Sequence, residues 1–368
     1  MWHILCYNIF GIDVNAVLQK FWEKFMQIRS RAPLRIGLAG GGTDLPSYSD
    51  VYGGAVFNAT LGMYAYCSII PTNNGRIKIE AYDNNNSIDV ECVSKFDITD
   101  ENLILHKGIY NRIVKDFNNG QPLSFEMSTS NDAPIGSGLG TSSTMVVAIL
   151  EAYNRWLGLG LDDYTKAYLA YDIERNDLKL SGGKQDQYSA VFGGFNLMEF
   201  KTDKTTVVNP LRVSKDIINE LECSLLLYYS GKSRSSAKII NEQIKNTKSN
   251  NEKTMDAMHN LKKYAYQMKD SVITGDISGF AELLREGWEN KKRTSSIISN
   301  VELEKTINFA MQNGAEAVKV SGAGGGGFLM LYCNPMNRQK LIDAMQSLSG
   351  KIYPVKFAKI GAESWIVK

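Results

Sequence analysis

Pro134-Ile-Gly-Ser-Gly-Leu-Gly-Thr-Ser-Ser143 lies between an apolar run, Leu123 to Met127, and Ser143-Thr-Met-Val-Val-Ala-Ile-Leu-Glu-Ala152. The first flank reads as a strand and the second as a helix. Glycine has no Cβ, so the loop between them lets backbone N–H groups converge on a ligand, and phosphate is the ligand that rewards this. The helix that follows adds its orphan N–H groups and the positive end of its dipole. Thr141, Ser142 and Ser143 supply hydroxyls that can cap the helix, touch phosphate or hold a metal. Two further glycine segments lie far away in the chain, Arg35-Ile-Gly-Leu-Ala-Gly-Gly-Gly-Thr-Asp44 and Lys319-Val-Ser-Gly-Ala-Gly-Gly-Gly-Gly-Phe328. One such loop is often a mere turn. Three together point to an anionic ligand.

The familiar phosphate loops are excluded by spacing. A Walker loop ends in Lys followed by Ser or Thr, whereas Gly140 is followed by Thr141. Gly231-Lys232-Ser233 has that ending, but Leu226 stands where its first glycine belongs. A dinucleotide fingerprint needs its third glycine where Thr141 stands.

The chain has 368 residues, 43% of them hydrophobic, which is enough for about two domains with real cores. A net charge of +2 with interspersed signs gives no case for nucleic acid or an acidic membrane surface. Five scattered cysteines without a Cys-x-x-Cys suggest neither disulfides nor zinc and fit a reducing cytoplasm. The three histidines, His3, His106 and His259, read as surface or structural residues. Residues 1–25 are apolar and aromatic but lack a basic start and a cleavage site, so they read as an appended extension, with a docking helix from Val14 to Phe25 as the alternative. From residue 26 to about 205, short strands such as Ile77 to Tyr82 alternate with turns and two helices. From 206 to 368 a strand, Ser224 to Tyr229, precedes a helical region (Ser235 to Ile244, Lys253 to Thr274, Phe280 to Arg293), then a helix at Val301 to Asn313 and a strand at Phe328 to Tyr332. A helix at Arg338 to Leu348 and strands at Ile352 to Phe357 and Trp365 to Val367 follow. Both halves read as α+β.

Pro134 to Ser143 resembles the nucleotide loop of the superfamily of galactokinase, homoserine kinase, mevalonate kinase and phosphomevalonate kinase, the GHMP kinases. Lys319 to Phe328 and Arg35 to Asp44 resemble its C-terminal and N-terminal motifs. Ala32 to Pro46 and Gly182-Gly-Lys-Gln-Asp-Gln-Tyr188 are most similar to the bacterial D-glycero-D-manno-heptose 7-phosphate kinase branch. Galactokinases carry Glu and His where Gly41 and Gly42 stand, which argues against galactose. The resemblance implies a two-domain fold, the first domain with a left-handed βαβ crossover and the second ferredoxin-like with extra helices. It also implies ATP and sugar bound in the cleft between them, and an anomeric hydroxyl phosphorylated on the way to nucleotide-activated heptose for surface polysaccharide.

Carried onto this sequence, the resemblance makes Asp186 the catalytic base and Arg35 the stabiliser of the transferring group. Pro134, Gly136, Ser137, Gly138, Leu139, Gly140, Thr141, Ser142 and Ser143 become the ATP loop. Magnesium falls to Glu174 with Ser142 or Ser143, although Asp172 and Asp177 are near enough in sequence to compete. Gly42, Thr43 and Asp44 are the sugar contacts, with Gly324 and Gly325 from the last motif. A phosphate on the acceptor needs its own cations, and Lys232 and Arg234 lie on a turn that opens a helix. Lys291-Lys-Arg293 reads as a solvated helix face. A fucose, amino-sugar or mevalonate-type kinase of the same fold is the alternative, as is a silent sensor, against which Asp186 and Arg35 count. Monomer and homodimer both stay open.

Overall fold

The computed structural model describes residues 26–231 and 236–367. The extension at 1–25, with the helix expected at Val14 to Phe25, lies outside the described residues. In chain order the first part runs β1 (Gln27–Ala39), α1 (Pro46–Tyr52), β2 (Gly54–Pro71), β3 (Arg76–Ala81), β4 (Asn86–Glu91), α2 (Ile104–Phe117), β5 (Phe125–Asn131), α3 (Thr141–Leu157), α4 (Asp163–Asp172), a π turn (Ile173–Asp177), α5 (Gln185–Phe192), β6 (Phe195–Phe200) and β7 (Thr206–Pro210). The second part runs α6 (Lys215–Ser224), β8 (Leu225–Tyr229), α7 (Ser236–Lys248), α8 (Glu252–Thr274), α9 (Ile277–Lys292), α10 (Val301–Gln312), β9 (Ala315–Val320), β10 (Phe328–Cys333), α11 (Arg338–Gln346), β11 (Lys351–Pro354) and β12 (Glu363–Val367). No helix among the described residues is long and apolar enough to cross a membrane.

The first sheet has eight strands in the order β12-β1-β2-β5-β3-β4, with β6 and β7 extending from β2. Long β2 serves two neighbours: Gly54 to Ala59 pairs with β6, and Ala65 to Pro71 pairs with β5. Its parallel pairing, β3 with β5, encloses α2 in the connection. The second sheet, β11-β8-β10-β9, is antiparallel throughout. Numbered from β8, that is the order 4-1-3-2 of the ferredoxin-like motif, with α7 to α9 inserted between its first strand and its first helix, α10.

The expected division at residue 205 falls inside the β6–β7 hairpin, whose pairs run from Asn196 with Pro210 to Phe200 with Thr206. The last strand also returns to the first sheet, pairing Gln27 with Val367 through Arg31 with Glu363. Among the described residues five helices, rather than two, precede Phe200. The extra ones are short, and only α4 carries a legible cap, Asp162 accepting from the Thr165 N–H. The strand expected at Leu123 to Met127 begins at Phe125 and runs on through polar residues to Asn131.

Three apolar cores follow from the strand period. One face of the first sheet packs Ile28, Ile69, Ile79 and Phe125 on α2 and α3. Its other face, Leu34, Ile36, Leu38 and Phe57, meets Ala265, Met268, Phe280 and Leu284 of α8 and α9 and also Leu225, Leu227 and Met330 of the second sheet. Leu226, Tyr228, Leu329 and Leu331 point the opposite way, onto α10 and α11. The unbroken apolar run of β8 is thus a strand buried on both faces. The middle core welds the two halves together and sets a cleft along the edge of β1.

Candidate active site

That cleft encloses about 330 Å³ and is lined by all three glycine segments together with Glu174, Gly182, Gly183, Gln185 and Asp186. Its geometry begins in β1. Pro33 has no N–H for the ladder, and the register with β2 shifts between Pro33 and Arg35. Such an irregularity re-aims a side chain. The Arg35 N–H leaves the ladder and donates to the Leu139 carbonyl at 3.1 Å.

The Arg35 side chain then reaches Asp186 at the start of α5. Nε donates to Oδ1 and Nη2 to Oδ2, each at 2.8 Å, while Nη1 donates to the Gly138 carbonyl at 2.6 Å. Arg35 is only 6% exposed and Asp186 26%. A planar fork holding both carboxylate oxygens fixes their orientation as well as their charge. Three of five guanidinium N–H groups are thereby used, which leaves two for a ligand. The sequence separation of 151 residues is closed by the fold.

The glycine loops are locked to each other. Gly138 has φ +84°, and a Cβ there would lie 2.6 Å from the Ser321 carbonyl oxygen. Ser321 Oγ donates to the Gly138 carbonyl at 2.9 Å, and the Phe328 N–H donates to the Ser137 carbonyl at 2.9 Å. Gly140, at φ +79°, is the N-cap of α3 and brings no side-chain acceptor, so the first-turn N–H groups are left to a ligand. Pro134 is exposed away from the cleft, and Leu139 is fully buried in the middle core. Ser137 is likewise buried. Those three expected ATP contacts shape the loop rather than line the cavity.

In the first glycine segment, Asp44 accepts from the Gly42 N–H and the Gln185 N–H, both at 3.1 Å. Gly183 leaves room for that carboxylate, which any Cβ would overlap. Thr43 is a correction. It is fully buried, and its hydroxyl is held among the Gly40 and Ala55 carbonyls and the Ala55 N–H. It pins the turn instead of facing a sugar. Gly324 and Gly325 are a second correction: they pack on Ile298, whose carbonyl accepts from the Gly325 N–H at 2.7 Å, and they lie outside the cleft lining. Lys232 and Arg234 lie outside the described residues, although Ser236 and Ala237, shortly after them in sequence, line the cleft.

Glu174, in the π turn, is 1% exposed. One oxygen accepts from Ser143 Oγ at 3.0 Å and the other from Gln187 Nε2; the nearest cation is Arg175 at 3.7 Å. Burial raises its carboxyl above the ordinary value. Its competitors are occupied, because Arg112 binds Asp172 at 2.6 Å and Asp177 at 2.8 and 2.9 Å. Ser142 is exposed to the cleft and Ser143 sits buried against Glu174. A buried carboxylate beside the Ser143 hydroxyl, with its nearest cation 3.7 Å away, is a donor set that suits a hard divalent cation.

Two residues escaped the sequence reading. Lys291, expected on a solvated face, is 5% exposed and donates to the Gly41 carbonyl at 2.9 Å. Lys319 is 8% exposed and donates to the carbonyls of Gly37 and Leu38, both at 2.7 Å. Burial pushes Lys291 down to about 8 and Lys319 to about 7. The lining thus has four basic side chains (Arg35, Arg175, Lys291, Lys319) against three acidic ones (Asp44, Glu174, Asp186), a balance that favours an anionic ligand. Among the described residues the histidines are elsewhere: His106 bonds Thr129 and His259 bonds Tyr48.

The chain matches family models for the GHMP kinases N terminal domain over residues 103–194 and GHMP kinases C terminal over residues 255–350. A D-glycero-alpha-D-manno-heptose 7-phosphate kinase of Campylobacter jejuni is 44% identical over 338 residues, 92% of this chain and 98% of that protein. The crystal structure of a D-glycero-D-manno-heptose 1-phosphate kinase from Bacteroides thetaiotaomicron matches with a TM-score of 0.80 at 44% identity, over 93% of this chain and 99% of that one. An L-fucokinase/L-fucose-1-P guanylyltransferase of Bacteroides fragilis is 27% identical over 82% of this chain but only 34% of its own length.

Proposed function

The chain belongs to the GHMP kinases, and on that premise we propose that it transfers the γ-phosphate of ATP to the anomeric hydroxyl of a heptose phosphate in the cytoplasm. D-glycero-D-manno-heptose 7-phosphate, giving the 1,7-bisphosphate, is the favoured acceptor. The heptose comes from the two relatives at 44% identity, whose names both specify a heptose phosphate. The observation that carries the chemistry is the Arg35–Asp186 pair under the Gly138 to Gly140 loop, in the same cavity as Asp44.

Phosphoryl transfer asks for positioning and charge stabilisation more than for covalent help. Asp186, oriented by Arg35, accepts the proton of the acceptor hydroxyl. The Arg35 charge and its two spare N–H groups face the group in transit. Asp44, with its carboxylate fixed by two backbone N–H groups, accepts sugar hydroxyls and sets polar specificity. The N–H groups at the start of α3 receive phosphate oxygens. Glu174 with Ser142 or Ser143 would hold Mg²⁺, whose charge on those oxygens assists transfer.

A panel of sugars and sugar phosphates, read by ADP release, tests the substrate assignment. The proposal expects turnover with heptose 7-phosphate far above that with fucose, an amino sugar or mevalonate. Turnover confined to an unphosphorylated alcohol would replace the acceptor, and no turnover with any would return the chain to the role of a sensor.

A further inference from the structure

Lys291 at the end of α9 and Lys319 in β9 enter the cleft from the second half of the chain and reach the first glycine segment. Each ammonium has three N–H donors. Lys319 uses two and Lys291 one on backbone carbonyls, which leaves one and two, three in all. Neither forms an ion pair with a carboxylate among the described residues. Asp44 is the acidic group that acts on Lys291, while Arg35 and Lys291 repel a proton on Lys319. Buried cations without a counter-charge are costly. Two of them at one cavity are organised for a ligand that brings the opposite sign. Space is reserved as well, since a Cβ at Gly42 would come within 3.0 Å of Lys291 Nζ.

We propose that Lys291 and Lys319 bind the acceptor's own phosphate, the one that is not transferred, and so make the cleft select a phosphorylated sugar. This rests on the sugar-phosphate kinase reading above. The choice of the acceptor over ATP follows from the tethers. Both lysines grip carbonyls of residues 37 to 41, next to Asp44, whereas the start of α3 and Glu174 supply the nucleotide side from another element.

Lys291→Met and Lys319→Met test it in the full chain, with Lys291→Arg as the variant that keeps the charge. Turnover of heptose 7-phosphate by the wild type is measured first, so that failure of the general reading shows itself before any variant is compared. A charge-assisted contact to phosphate is worth about ten- to a hundredfold in affinity. The ratio of kcat/KM for the sugar phosphate over that for the unphosphorylated sugar should fall by that factor in each methionine variant and largely recover in Lys291→Arg. An unchanged ratio, with equal losses on both acceptors, would make the lysines mere tethers of the loop and overturn the inference, as would a loss confined to ATP. If the wild type turns over no sugar phosphate, inorganic phosphate decides. It should raise the melting temperature of the wild type and leave the methionine variants unmoved, and equal shifts, or none in the wild type, would overturn the proposal.

Discussion

Gly138→Ala probes whether two glycine loops act as one unit. The backbone at Gly138 has φ +84°, a region that costs an L-residue about 1–2 kcal/mol. The added Cβ would meet the Ser321 carbonyl oxygen at 2.6 Å and its carbon at 3.1 Å. These are backbone atoms of the third loop and cannot swing aside as a side chain could. Ordinary contact begins at 3.4 Å, so the loops must part by 3.4 − 2.6 = 0.8 Å. A misplacement of about 1 Å can cost on the order of a hundredfold. Gly138→Ala should therefore weaken ATP by about ten- to a hundredfold in calorimetry and lower the melting temperature by a few degrees. Gly140→Ala is the control: its Cβ would meet Asp186 Oδ2 at 3.3 Å and Arg35 Cγ at 3.5 Å. Those side chains can give, so it should lower kcat more than ATP affinity. A Gly138→Ala protein with wild-type ATP affinity and stability would refute the locked-loop reasoning.

Asp186→Asn should lower kcat by about a hundred- to ten-thousandfold, the usual scale for a general base, with ATP affinity near wild type; steady-state rates within a fewfold would place the base elsewhere. Glu174→Gln should raise the Mg²⁺ concentration needed for half-maximal turnover more than about tenfold, since one of few hard ligands loses its charge, and an unaltered Mg²⁺ titration would remove Glu174 from the metal site. Lys319 is held down to about 7 against an ordinary value of 10.5. The unfolded chain thus binds the extra proton between those values, so the burial cost is full below pH 7 and is relieved as pH rises toward 10. The stability of the wild type relative to Lys319→Met should climb between pH 7 and 9.5 in urea melts. Parallel pH profiles would show that Lys319 is not held in that way.

Much of this was legible because glycine motifs are local. The middle loop and α3 could be read from residues 134 to 152 alone, and the resemblance then supplied Arg35, Asp186 and Glu174 as partners. That the guanidinium grips the carboxylate with two hydrogen bonds was not legible, since it depends on a register shift in β1. Lys291 sits in a Lys-Lys-Arg run that looks solvated. Its burial arises only when α9 packs against α8, β9 and β1. Thr43 and Gly324 misled for the opposite reason: a motif fixes which residues recur, not which of them face the ligand. The last strand was foreseen as a strand, but a pairing from Gln27 to Val367 across the whole chain has no local signal.

The most direct test of the account is phosphorus NMR of the product made from ATP and D-glycero-D-manno-heptose 7-phosphate with Mg²⁺. The account predicts one ADP per turnover and a new phosphate resonance coupled to the anomeric proton, with the 7-phosphate retained. A phosphate on any other hydroxyl, or ATP hydrolysed to free phosphate with the sugar unchanged, would contradict it.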